Sequence, residues 1–137
     1  MVVKRFLRFY RSAEKLNGYI DGLMERLAMQ SGLDGVGGCE RYAERLMLLI
    51  EDKERLSRLW ARLNGVVEGL TDADRFTLFK YADTRGGTKD GAEGREIHRA
   101  VVKFTRRAFN VLNGVGAESD LQLVNKYYCL MAPDLPK

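Results

Sequence analysis

Proline is nearly missing from this 137-residue chain: its two prolines, Pro133 and Pro136, both stand at the very end. Everything before them lacks the residue that breaks a helix by removing a backbone donor. Cysteine is as scarce. Cys39 and Cys129 lie far apart with no CxxC pair, and His98 is the single histidine. A multi-ligand metal site of the usual kind has little to be built from, so neither metal nor cofactor is expected, and the thiols are expected to be reduced and structural. Long apolar runs are lacking too. The run "LMLLI" at 46–50 falls far short of the roughly 20 residues a membrane-spanning helix needs. Charges recur through the N-terminal stretch where a secretory leader would carry its apolar core, which makes the cytoplasm the expected location. Sustained period-two alternation is absent, so no strands are expected.

What is present is a composition typical of a folded domain, 45% hydrophobic and 31% charged. The length suits one domain, residues 1–137. A net charge of +4 is mild, so the placement of charge matters more than its sum.

Residues 4–29 carry Phe6, Phe9, Ala13, Leu16, Ile20, Leu23 and Leu27 at alternating three and four spacings, the heptad seam of a long helix. "QSGLDGVGG" (30–38) reads as a loop. A second seam follows in Tyr42, Leu46, Leu49, Lys53, Leu56, Trp60, Leu63, Val67 and Leu70, with Lys53 its only polar member. Together they predict a long antiparallel helical hairpin over 4–69. Gly69 is a candidate C-cap, and Thr71 with Asp74 resembles a capping box at the start of a helix over 72–84, with Phe76, Phe79 and Ala82 on its inner side. "RGGTKDGAEG" (85–94) reads as a loop, 95–113 as a fourth helix, and a fifth helix capped by Ser119 or Asp120 turns Leu121, Val124, Tyr128 and Met131 inward before Pro133. The expected class is all-α: the hairpin, a helix-turn-helix-like part over 71–113, and a C-terminal helix and tail over 114–137.

Two octets nearly match, "LNGYIDGL" (16–23) and "LNGVVEGL" (63–70), each with glycines four apart. Small residues at that spacing permit close helix approach. The flanks do not match, so coincidence with the seam spacing is the simpler reading.

The stretch "REIHRAVVKFTRRAFNVL" (95–112) is the most informative. On a helical wheel Ile97, Ala100, Val101, Phe104, Ala108, Val111 and Leu112 form one stripe. Arg95, Arg99, Lys103 and Arg106 lie opposite, with Arg107 at the border and Glu96 the only acid nearby. Most solvated helix faces mix signs, as Glu51, Asp52 and Glu54 do with Lys53, Arg55 and Arg58. Like charges along about three turns suit a surface that meets phosphates or an acidic partner. His98 and Asn110 join the candidate contact face.

"LTDADRFTLFKYADT" followed by "AVVKFTRRAFNVL" resembles the C-terminal half of sigma-factor region four, as found in phage late-transcription regulators of the ArpU and RinA type. In that resemblance Phe76, Leu78, Phe79 and Tyr81 stand for the family's leucine-rich helix and tyrosine turn. Val101, Lys103, Phe104, Arg106, Arg107, Ala108 and Phe109 follow its recognition helix. The similarity spans roughly residues 15 to 112 and implies a small regulator acting on DNA or RNA polymerase. Where the family has a short scaffold helix, this chain has "GGTKDGAEG", and Gly86, Gly87, Gly91 and Gly94 predict a loop there.

Enzymatic signatures are not found. "GGTKDGAEGRE" lacks the lysine–hydroxyl ending of a phosphate-binding loop, Asp83 and Asp90 do not set the frame of a calcium loop, and His98 has no nucleophile beside it in sequence. The Glu51–Asp52 pair is expected to be neutralised by Arg55 and Lys53, and Trp60 to be core. Two functional expectations follow. One is a non-enzymatic regulator binding DNA or the transcription machinery. The other is a helical protein–protein module, including an inhibitor of a host complex or a homodimer, with the hairpin as its contact surface.

Overall fold

The computed structural model describes residues 2–34, 39–83, 92–114 and 116–131, and these form six helices. They are α1 (Val2–Asp34), α2 (Cys39–Glu68), α3 (Asp72–Asp83), α4 (Ala92–Arg107), α5 (Phe109–Asn113) and α6 (Ala117–Met131). The protein is an all-α helical bundle, and no described helix is long and apolar enough to cross a membrane.

α1 and α2 lie alongside one another with residue numbers running in opposite senses. The Tyr10 hydroxyl donates to Asn64 at 2.7 Å, and further along α1 Asp21 accepts from Lys53 at 2.6 Å. The core gathers where the N-terminal half of α1 meets the C-terminal half of α2 and the shorter helices. There Phe6, Leu7, Leu16, Ile20, Leu59, Leu78, Phe104 and Tyr127 are sealed from solvent. Burying an aromatic such as Phe104 contributes about 1.5–3 kcal/mol. Tyr127 also donates to Asp52 on α2 at 2.6 Å, and Tyr128 meets Ser12 on α1, so α6 is tied to both long helices by phenol groups. Beyond the core no third layer covers the far ends of α1 and α2 among the described residues. Tyr42, Leu46 and Leu49 are only half-buried, and Met29, Met47, Leu48 and Ile50 are exposed.

Several boundaries move from their expected places. α1 continues through 30–34, past Gly32, into the stretch read as a loop; residues 35–38 lie outside the described ones. α4 starts at Ala92, which takes Gly94 and Glu93 into its first turn, while 84–91 lie outside the described residues. The expected helix over 95–113 is divided at Ala108, where ψ is 8° and Val111 bonds back three residues to the Ala108 carbonyl. Pro133 and the tail also lie outside the described residues, after α6 ends at Met131.

The apolar faces turn by one position in three helices. Trp60 is exposed at 36% and stacks flat on Tyr10 with ring centroids 5.5 Å apart, while its neighbour Leu59 is buried. Phe76 is 70% exposed, and Leu78, Tyr81 and Ala82 take the inner side of α3, with Phe79 half-buried. In α6 the buried positions are Leu123, Val124, Tyr127 and Met131, leaving Leu121 and Tyr128 half-buried. The cause is shared. Each helix packs on more than one neighbour, and the direction of the second neighbour rotates the buried face away from a single seam.

Of the expected caps, the one at α3 forms and the other two do not. The Asp74 amide donates to Thr71 Oγ1 at 3.2 Å, the cap expected of that pair. Ser119 and Asp120 do not cap α6. Gly116, at φ 93°, precedes the helix, and its carbonyl accepts from the Asp120 amide. The side chains of Ser119 and Asp120 instead accept from Arg55, at 2.9 and 3.2 Å, and Asp120 also accepts from Arg62 at 3.3 Å. The charges around Asp52 likewise reach across helices rather than along α2: Lys53 pairs with Asp21, Arg55 with Asp120, and Asp52 with Lys126. Gly69 is not left-handed. α2 closes with short bonds from Gly69 to Val66 and from Leu70 to Val67.

Candidate nucleic-acid interface

α4 presents its apolar stripe as read from the sequence. Ile97, Ala100, Phe104, Ala108 and Leu112 are buried, and Val101 and Val111 half-buried. Burial of that stripe against α3 and α2 fixes which way the other side faces. Arg95, His98, Arg99, Lys103, Arg106, Arg107 and Asn110 are all exposed.

The seven are not equivalent. Lys103 donates to Asp74 on α3 at 3.1 Å, and this bond holds the Asp74 carboxyl below the usual carboxylate range; burial opposes it, and Thr71 adds a weaker lowering effect. Arg107 turns back and donates to the Gly69 carbonyl at the end of α2, a favourable place for a cation because helix carbonyls there carry partial negative charge. The missing side chain of Gly69 is what makes room: a Cβ there would come within 2.8 Å of the Arg107 guanidinium. Arg95, Arg99 and Arg106 have no hydrogen-bond or ion-pair partner among the described residues. They occupy positions i, i+4 and i+11, a line of about 16 Å along one side of the helix. Asn110 continues that line onto α5, whereas His98 sits toward its edge, judged from helical geometry.

Elsewhere Lys53 is answered by Asp21, Arg55 and Arg62 by Asp120, and Lys126 by Asp52, whereas Arg41, Arg45 and Arg58 on α2 have no hydrogen-bond or ion-pair partner among the described residues but share their helix with Glu40, Glu44, Glu51 and Glu54. On α4 two of the five basic side chains are committed within the fold and three project outward. Such an arrangement can neutralise phosphates along a backbone, and its concentrated positive field attracts polyanions.

A second basic surface escaped the sequence reading. Arg5, Arg8, Arg11 and Lys15 share one face of α1 and line a groove of about 700 Å³ with α6 and the end of α3. Their three and four spacings mark one helix face in the sequence, but nothing along α1 itself marks that face as concave. The concavity comes from α6, more than a hundred residues later in the chain. Among the described residues no group of three or more His, Cys, Asp or Glu is placed to hold a metal ion, and Cys129 is an exposed free thiol.

Comparisons with protein-family models, with curated proteins and with solved structures find no match.

Proposed function

We infer that this chain is a small, non-enzymatic regulator of the phage or prophage type that binds nucleic acid, with α4 lying along the phosphate backbone. The observation that carries the reading is the outward line of Arg95, Arg99 and Arg106 along one side of α4, each exposed and without a hydrogen-bond or ion-pair partner among the described residues. The resemblance of residues 70–84 and 100–112 to sigma region four favours transcription as the process acted upon, through DNA or RNA polymerase. Backbone contact needs charge and exposure but no scaffold helix, so the reading does not depend on the glycine-rich stretch before α4.

The test is fluorescence anisotropy of a labelled duplex over a salt series, comparing the native protein with Arg95→Glu/Arg99→Glu/Arg106→Glu. All three positions are solvent-facing, so helicity by circular dichroism should not change. Binding should weaken steeply with salt, and the logarithmic slope should fall by about three in the variant, one per lost phosphate contact. Failure of the native protein to bind at low salt would remove the proposal.

A second reading, a helical protein–protein module or homodimer, is favoured by the far end of α1 and α2. Met29, Met47, Leu48 and Ile50 are exposed there, beside a recess of about 410 Å³ whose lining mixes four leucines, Leu23, Leu27, Leu48 and Leu49, with five polar side chains including Arg26, Arg45 and Asp52. Sedimentation over a range of concentrations, with Met47→Lys/Leu48→Lys as control, separates self-association from a monomer.

A further inference from the structure

The geometry points to a second anion site, distinct from α4: the groove between α1, α6 and the end of α3 binds a small ligand carrying two or more linked phosphates. Three observations carry it. The first is a surplus of one sign in a recess. Arg5, Arg8, Arg11 and Lys15 line the groove, and Asp83 is the one carboxylate among its described lining residues. Cations held together in a concave site repel one another and focus a positive field into it, a cost that a bound polyanion relieves.

The second is the state of each cation. Arg8 is positioned by the fold: its Nε donates to the Ala82 carbonyl at 3.2 Å, answering the negative end of α3 and leaving the rest of its planar fork available. Arg11 pairs with Asp83, but both groups are largely exposed, at 43% and 63%, and an ion pair so hydrated is readily exchanged for a phosphate. Arg5 and Lys15 have no partner among the described residues. Arg5 to Lys15 spans about 15 Å of helix, more than one phosphate can bridge and well matched to a chain of them.

The third is the opposite wall. Tyr128 is fixed there by contacts to Ser12 and to the Arg8 carbonyl, so the groove is held open by hydrogen bonds between α1 and α6. Beside it Asn125, half-buried, offers amide donors and an acceptor. A recess of about 700 Å³ falls within the range that small-ligand sites occupy. A walled recess of this kind admits a small ligand in preference to the convex backbone of a duplex. The common chemistry is the polyphosphate chain, carried by a nucleoside di- or triphosphate or by inorganic polyphosphate. Asn125 is the group that would favour the nucleotide.

The proposal stands apart from the reading of α4, and titration calorimetry on the full chain keeps the two distinguishable. ATP, tripolyphosphate and, as a single-anion control, sulfate are each titrated at matched ionic strength. The native protein, Arg5→Ala/Lys15→Ala and the α4 triple variant are compared. Arg5 and Lys15 are exposed and neither has a hydrogen-bond or ion-pair partner among the described residues, so the double variant should keep its helicity and any duplex binding. Saturable one-to-one binding of tripolyphosphate or ATP, weakened about tenfold or more in Arg5→Ala/Lys15→Ala and unchanged in the α4 variant, is the expected result. Tighter binding of ATP than of tripolyphosphate assigns the nucleotide as the ligand, and equal binding assigns the phosphate chain alone. No saturable binding, binding that sulfate matches, equal affinity in the double variant, or loss of affinity in the α4 variant would each overturn the assignment.

Discussion

Tyr127 condenses much of the fold's logic into one side chain. Its ring is sealed in the core while its hydroxyl donates to Asp52, which also accepts from Lys126 at 3.4 Å. Burial, reinforced by the adjacent Asp52 charge, pushes the phenol well above its ordinary value. Burial likewise raises Tyr128, and burial and then Glu68 raise Tyr10. The free phenol titrates near 10.0, so above that pH the unfolded chain releases protons that the native protein still holds. Stability from these groups is therefore whole below about pH 10 and drains away as pH rises beyond it. Urea midpoints measured from pH 7 to pH 11 should stay level in this respect and then decline. Tyr127→Phe should lower the midpoint at pH 7 by the equivalent of about 1 kcal/mol, through loss of the bond to Asp52, and should decline less steeply in alkali. Native and variant curves running parallel above pH 10 would show that Tyr127 is not the group responsible.

At the scale of elements, the near-repeated octets resolve simply. A Cβ at Gly18, Gly22 or Gly65 would meet nothing within 4 Å, so these glycines do not serve close helix approach within the chain. Each then weakens its helix for no packing return, and Gly18→Ala and Gly65→Ala should each stabilise the fold by about 0.5–1 kcal/mol in thermal or urea unfolding. A loss of stability that depends on protein concentration would mean instead that these faces meet in a dimer. Gly116 is the opposite case, since its left-handed φ of 93° strains any other residue. The same balance explains how much of the fold was legible. Apolar spacing located the helices because burial of one face dominates their stability. It missed ends at Gly32 and Gly94 because one glycine costs a helix only about 1 kcal/mol, too little to end a helix by itself. It set Trp60 and Phe76 inside, in place of Leu59 and Leu78, because a seam records one neighbour and these helices have several. For α4 the sign of the charge was readable along the chain. Which cations remain uncommitted was not, since Asp74 and the Gly69 carbonyl reach Lys103 and Arg107 only through tertiary structure.

At the scale of the molecule, the bundle is thick at one end and thin at the other. Around Phe6, Leu59, Phe104 and Tyr127 four helices meet, whereas near Met29 and Met47, among the described residues, α1 and α2 pack mainly on each other. Free energies of local opening follow the apolar surface that opening exposes, so they should be graded along the length of a single helix. Hydrogen exchange followed by mass spectrometry should show amides of α2 at 42–50 exchanging well before those at 56–67, although both belong to one unbroken helix. Uniform protection along α2 would mean that the thin end is covered in solution by a partner or a second copy. The thin end thus acts as a built-in reporter of occupancy: whatever docks there must slow its deuterium uptake, even where it leaves the shape of the molecule unchanged.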